Sequence, residues 1–123
     1  MRLEHLASLA ITLAMIMASV LGLPEALGAH PLWAVKTGGI GSLGGLGIYA
    51  ALRMSGVRPA VLAALAGIGL LATVYAISQG KLIFAASLAE NAIAGRVWFF
   101  GWFGVMAAAC VLLCSLAACA LRR

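Results

Sequence analysis

The sequence predicts an all-α, polytopic membrane bundle: four transmembrane helices, with a short interfacial helix before the last span. Three observations carry that expectation. Residues from the set Ala, Val, Ile, Leu, Met, Phe, Trp, Tyr and Cys make up 65% of the 123-residue chain, against roughly 45–50% in soluble domains even when Gly is counted. Charged residues are 9% of the chain, where about 25% is usual, and the mean hydropathy is +1.15. Four apolar runs reach the ~20 residues that a helix needs to cross hydrocarbon. A soluble globule of this length could not hide so much apolar surface, because small domains bury only about 60–70% of what the unfolded chain exposes. The same balance excludes a disordered chain, a disulfide scaffold and a free nucleic-acid binder.

The length fits one integral membrane domain over residues 1–123. The first span, residues 6–23, ends at Pro24. The second, 32–52, is introduced by Pro31 and closed by Arg53. The third, 59–78, begins with Pro59 at the first helical position, where its missing N–H costs nothing. The fourth, 97–121, is bounded by Arg96 and by Arg122-Arg123. Helices satisfy every backbone group within one segment, and no period-2 alternation suggests a barrel. Residues 1–28 also carry features of a secretory signal: Arg2, an apolar core, and Ala26-Leu27-Gly28 as a small-residue cleavage site. The apolar run exceeds the ~7–15 residues typical of a signal, and Glu4 sits where a signal is basic, so a retained span is expected.

The net charge of +5 comes from eight Lys and Arg against Glu4, Glu25 and Glu90. With both termini cytoplasmic, Arg2, Arg53, Arg58, Arg122 and Arg123 fall inside, and Lys36, Lys81 and Arg96 fall outside. That is the sense of the positive-inside rule, with a modest bias of five to three, and the location expected is a bacterial inner membrane. An even number of spans also puts Trp33, Trp98, Trp102 and Tyr75 at one interface, as an aromatic belt requires. The partners are therefore the bilayer and other membrane chains, in a homo-oligomer or a larger complex, with no nucleic acid.

Spans associate in lipid through close packing, so small residues mark the contacts. In the second span Gly38, Gly41, Ser42 and Gly45 project to one face and contain a Gly41-xxx-Gly45 pair. The third span offers Ala60, Ala63, Ala64 and Gly67, and the short connection predicts that spans two and three are antiparallel neighbours. The fourth repeats the device with Gly101, Gly104, Ala108 and Ser115. In the first, Ser8, Thr12 and Ser19 line up to bond across helices or back to the i−4 carbonyl.

Between spans three and four, Ser87, Glu90 and Asn91 form a polar stripe flanked by Gly80 and Gly95, which are expected to break the helix there. Glu90 is the carboxylate closest to membrane depth, with Lys36, Lys81 and Arg96 as candidate partners. Glu90, Asn91, Lys36 and Arg96 are therefore the candidate transport residues. His5 and His30 lie on opposite sides, so no bis-His haem site forms within one chain. Cys110 and Cys114 share a face without His or carboxylate, which suits small hydrophobes and not a metal site. No cofactor is expected, and no hydrolase, kinase or phosphate-binding signature appears.

The glycine-rich residues 38–47 resemble the first helix of rotary ATP synthase c subunits. Those rings need a mid-membrane carboxylate in the following span, and the third span here has none, so no family is assigned. The function expected is that of a non-enzymatic packing or accessory component associating through Gly/Ala faces. The alternative is a small ion or solute transporter with Glu90 and Lys36 near its outer mouth.

Overall fold

The computed structural model describes residues 2–26, 34–87 and 92–121, and among the described residues all regular structure is helical, with no strand. Helix α1 spans Arg2–Val20, α2 Leu23–Ala26, α3 Ala34–Met54, α4 Pro59–Ala86 and α5 Ala92–Leu121. α2 is a single turn; the other four are long. Three of them are long and apolar enough to cross a membrane: α1 from Leu3 to Val20, α4 and α5. α3 has 21 residues, about 31 Å of helix, but Lys36, Thr37 and its glycines dilute its apolar character.

The helix ends follow from local chemistry. α1 stops at Gly22, whose φ of 97° is left-handed and whose N–H bonds to the Ser19 carbonyl. α3 stops at Gly56, φ 92°, with Gly56 N–H on the Arg53 carbonyl and Val57 N–H on the Leu52 carbonyl. That pair of bonds satisfies two carbonyls that a helix end otherwise orphans. α4 then starts with Pro59 after an extended Arg58.

Glycine positions fix the register of the packing. A side-chain carbon at Gly38 would collide with Ser19 of α1. One at Gly41 would lie 2.8 Å from Met106 Cβ, and one at Gly45 would lie 2.6 Å from the Ala107 carbonyl oxygen. α3 therefore lies backbone-to-backbone on α5, and the two run parallel. On the other side of α5, Gly101 meets Ile77 and Gly104 meets Thr73 Cγ2 at 3.1 Å, so α4 and α5 are antiparallel. α1 is antiparallel to both α3 and α5, since Ser19 meets Gly38 while Thr12 meets Cys110. The long helices alternate in direction, with α5 at the centre touching the other three.

Several expectations change. No separate interfacial helix forms in the described part of the α4–α5 connection: α4 runs through Gly80 to Ala86, and α5 begins at Ala92, before Gly95. These glycines are contact points and not breakers. A Cβ at Gly80 would stand 3.0 Å from both the Ala94 oxygen and the Trp98 nitrogen, and one at Gly95 2.8 Å from the Phe84 ring. The helices consequently extend well past the expected bounds of 59–78 and 97–121, while the first ends at Val20 and α3 covers Ala34–Met54.

Spans two and three, though joined by a short turn, are not close neighbours. α4 packs on α5, and an apolar groove of about 350 Å³ lined by Ile48, Leu65 and Val111 separates α3 from α4. The face of Ala60, Ala64 and Gly67 is accordingly not a contact with α3. Ala60 and Ala64 are exposed, and nothing lies within 4 Å of a Cβ at Gly67; α4 instead buries Pro59, Leu62, Ala66, Ile77 and Gly80. Trp102 is not a belt residue: it is buried in a core cluster with Ile77, Val105 and Met106. A second cluster joins Tyr49, Leu62, Ala66, Cys110, Val111 and Cys114 nearer the other end.

Candidate functional site

The chemistry-bearing side chains that the fold gathers lie on α1, α3 and α5. Tyr49 and Arg53 are one turn apart on α3, so both face the same way, toward the first turn of α1. Glu4 Oε1 accepts the Tyr49 hydroxyl at 2.6 Å and the Arg53 Nε–H at 2.7 Å, and Glu4 Oε2 accepts from Arg53 Nη2 at 3.2 Å. Arg53 Nη1 also donates to the Val57 carbonyl at 2.9 Å, tying the turn after α3 into the same group. The side chains of Arg53 and Glu4 retain only 19% and 11% of their accessible surface. A bidentate, charge-assisted pair in such a partly desolvated place is worth more than an exposed ion pair. A small cleft of about 150 Å³ opens beside it, between His5, Ser8 and Met54.

From this group a line of hydroxyls and thiols runs inward along α1. Ser8 donates to the His5 carbonyl at 2.9 Å, Thr12 to the Ser8 carbonyl at 2.8 Å and Ser19 to the Met15 carbonyl at 2.9 Å. These are the i−3 and i−4 bonds by which a hydroxyl satisfies itself in an apolar surrounding. Thr12 Oγ1 also lies 3.4 Å from Cys110 Sγ, and Cys114 Sγ reaches the Ser8 carbonyl at 3.9 Å, so α5 is joined to the same line. Ser115 turns back to the Val111 carbonyl at 2.6 Å. Ser42 departs from the pattern: its hydroxyl is fully buried without a hydrogen-bond partner among the described residues.

Gly38, Gly41, Ser42 and Gly45 all lie buried on α3, against α1 and α5, while Gly101 and Gly104 meet α4. Lys36 and Arg96 are exposed. Glu90 and Asn91 lie outside the described residues, as do His30, Trp33, Arg122 and Arg123. No set of three His, Cys, Asp or Glu side chains converges as a metal site among the described residues. Cys110 and Cys114 are buried free thiols, and Cys119 is partly exposed.

The Glu4–Tyr49–Arg53 group was not anticipated from the sequence, where Glu4 reads as a residue at the mouth of span one and Arg53 as a closing cation. A signal was present nonetheless. Tyr49 and Arg53 share a helical face at the end where an antiparallel α1 must begin, and Glu4 is the acid available there. Comparison of the chain with protein-family models, curated proteins and solved structures gives no match.

Proposed function

We propose that this chain is a non-enzymatic, four-span component of a bacterial inner membrane, with both termini cytoplasmic. It associates with a second copy or a larger membrane complex through small-residue helix faces. One observation carries the reading. The Gly face of α3 is consumed inside the chain, whereas Ala60, Ala64 and Gly67 of α4 lie on one stripe that no other described part of the chain covers. In lipid such a stripe lets another helix approach closely, which is where association energy comes from when apolar burial supplies none.

Two further features support the placement. α3 lies along α1 from Gly38–Ser19 to Tyr49–Glu4, so it accompanies an apolar helix over most of its length. Arg53 and Arg58 sit at the Glu4 end, while Lys36, Lys81 and Arg96 belong to the other. α5 ends at this side with Leu121, and the sequence that follows it is Arg122-Arg123; counted with Arg2, these give the Glu4 end the larger share of Lys and Arg, the sense of a cytoplasmic face. The test is the size of the detergent-solubilised particle and the set of proteins that copurify with it from native membranes. Ala64→Leu and Gly67→Leu should reduce the particle to a monomer without lowering its thermal stability, because neither position is packed in the chain. Unchanged particle size would overturn association through α4.

A further inference from the structure

α1 and α4 flank α5 without packing on each other, and the space between them is a crevice of about 460 Å³. Its walls are Met15 and Ala18 of α1, Val74 and Ser78 of α4, and Trp102 and Leu113 of α5. Val74, Ser78 and Leu113 are exposed at its rim while Trp102 is 3% exposed at its floor, so the crevice opens sideways from the body of the protein. Along α5 it extends from Trp102 to Leu113, about 16 Å at the helical rise. That is close to half of the ~30 Å hydrocarbon thickness, the depth belonging to one leaflet.

One turn beyond the crevice wall, past Ser78 and Trp102, the surface is no longer apolar. Lys81 continues the α4 line of Val74 and Ser78 by one more turn. Its Nζ stands 5.8 Å from the centre of the Trp98 ring, one turn before Trp102 on α5. Trp98 in turn packs on Phe84 with ring centres 5.9 Å apart, which joins the end of α4 to the start of α5. Counted from Pro59, Lys81 lies about 33 Å along α4, just beyond the hydrocarbon and at headgroup level. An apolar slot one leaflet deep, with an exposed ammonium and an indole at its headgroup end, matches one anionic phospholipid.

We propose that this crevice is a phospholipid site: it holds one acyl chain of an anionic lipid, with the phosphate at Lys81. Selectivity for the headgroup comes from Lys81, because the walls of the slot accept any acyl chain. Lys36 belongs to α3, which contributes no wall to the crevice, and Arg96 lies on the opposite side of α5 from Trp98, so these exposed cations of the same end serve as controls.

The test is native mass spectrometry of the full chain in detergent, supplied with phosphatidylglycerol or phosphatidylcholine of identical acyl chains. One phosphatidylglycerol should be retained in preference to phosphatidylcholine. Lys81→Gln should lower retention of phosphatidylglycerol about fivefold, the value of one lysine at an anionic surface, and leave phosphatidylcholine unchanged. Val74→Trp, at a 42% exposed rim position, fills the slot and should lower retention of both lipids. Equal retention of the two lipids by the wild type, an equal effect of Lys36→Gln, or full retention by Val74→Trp would each overturn the site. The inference rests on the membrane placement. A chain that stays dispersed without detergent would overturn that placement, whereas loss of lipid selectivity in a detergent-stable protein overturns the site alone.

Discussion

Glu4 and Arg53 are 49 positions apart in the chain and 2.7 Å apart between carboxylate and guanidinium. The contact joins the first turn of α1 to the last turn of α3 and, through Arg53 Nη1 and Val57, to the turn that launches α4. α1, α3 and the turn into α4 are thus tied at one end by a single charged residue, Arg53, in a chain where only 9% of residues are charged. A carboxylate so placed is expensive to leave unpaired, and that cost makes the register of α1 on α3 specific.

Glu4→Gln removes the charge but keeps an acceptor for Tyr49. It should destabilise the detergent-solubilised protein by about 1–3 kcal/mol, as expected for a hydrogen bond to a charged group, and this is read as a fall in Tm. Arg53→Met should cost at least as much, since it strands the carboxylate. The double variant should cost less than the sum of the two, because neither charge is then left alone. Strict additivity in this cycle would mean that the pair contributes no coupling.

The glycines of α3 divide into two classes by what a methyl group would meet. At Gly45 it would lie 2.6 Å from the Ala107 carbonyl and 2.8 Å from Cys110 Cβ, and backbone there cannot yield without moving α5. At Gly44 there is nothing within 4 Å. Gly45→Ala should therefore destabilise the chain by about 1–3 kcal/mol, as overpacking does. Gly44→Ala should leave it unchanged or raise it by up to about 1 kcal/mol through helix propensity. Thermal unfolding followed by circular dichroism separates the two, and equal effects would contradict the packing of α3 on α5.

Ser42 carries a buried hydroxyl without a partner among the described residues. Removing it restores no lost bond and takes away a desolvated polar atom, so Ser42→Ala should be neutral or up to about 1 kcal/mol more stable. Thr12→Val should instead be destabilising, since Thr12 bonds to the Ser8 carbonyl and meets Cys110. A destabilising Ser42→Ala would reveal a bond that the hydroxyl makes in the assembled membrane protein.

What the sequence made legible was the helical class and the polar line of α1. Both depend on composition and on a repeat of 3.6 residues, which any single helix displays. What it hid was which helix each face meets. Gly41 and Ala64 sit in similar small-residue patterns, yet one lies against Met106 and the other is exposed, because α5 and not α4 occupies the place beside α3. Gly80 and Gly95 misled for a related reason. Glycine reads as a breaker when its neighbours are water, but between two apolar helices it is where backbones can touch. The Glu4–Arg53 pair was hidden by distance in the chain.

The same pair makes the topology testable. If Glu4 touches Arg53, then Leu3 and Ser55 emerge on one side of the membrane, and Ala92, after α4 has crossed, emerges on the other. All three positions are exposed or terminal to their helices. Leu3→Cys, Ser55→Cys and Ala92→Cys, each made in a Cys119→Ala background, report this with a membrane-impermeant maleimide. The background needs no further change, since Cys110 and Cys114 are 0% and 1% exposed and should stay silent until the chain is unfolded. Right-side-out spheroplasts should label Ala92→Cys alone, and inside-out vesicles should label the other two. Leu3 and Ser55 on opposite sides would mean that α3 does not cross. It would also break the Glu4–Arg53 contact, since a bilayer would then lie between the two residues.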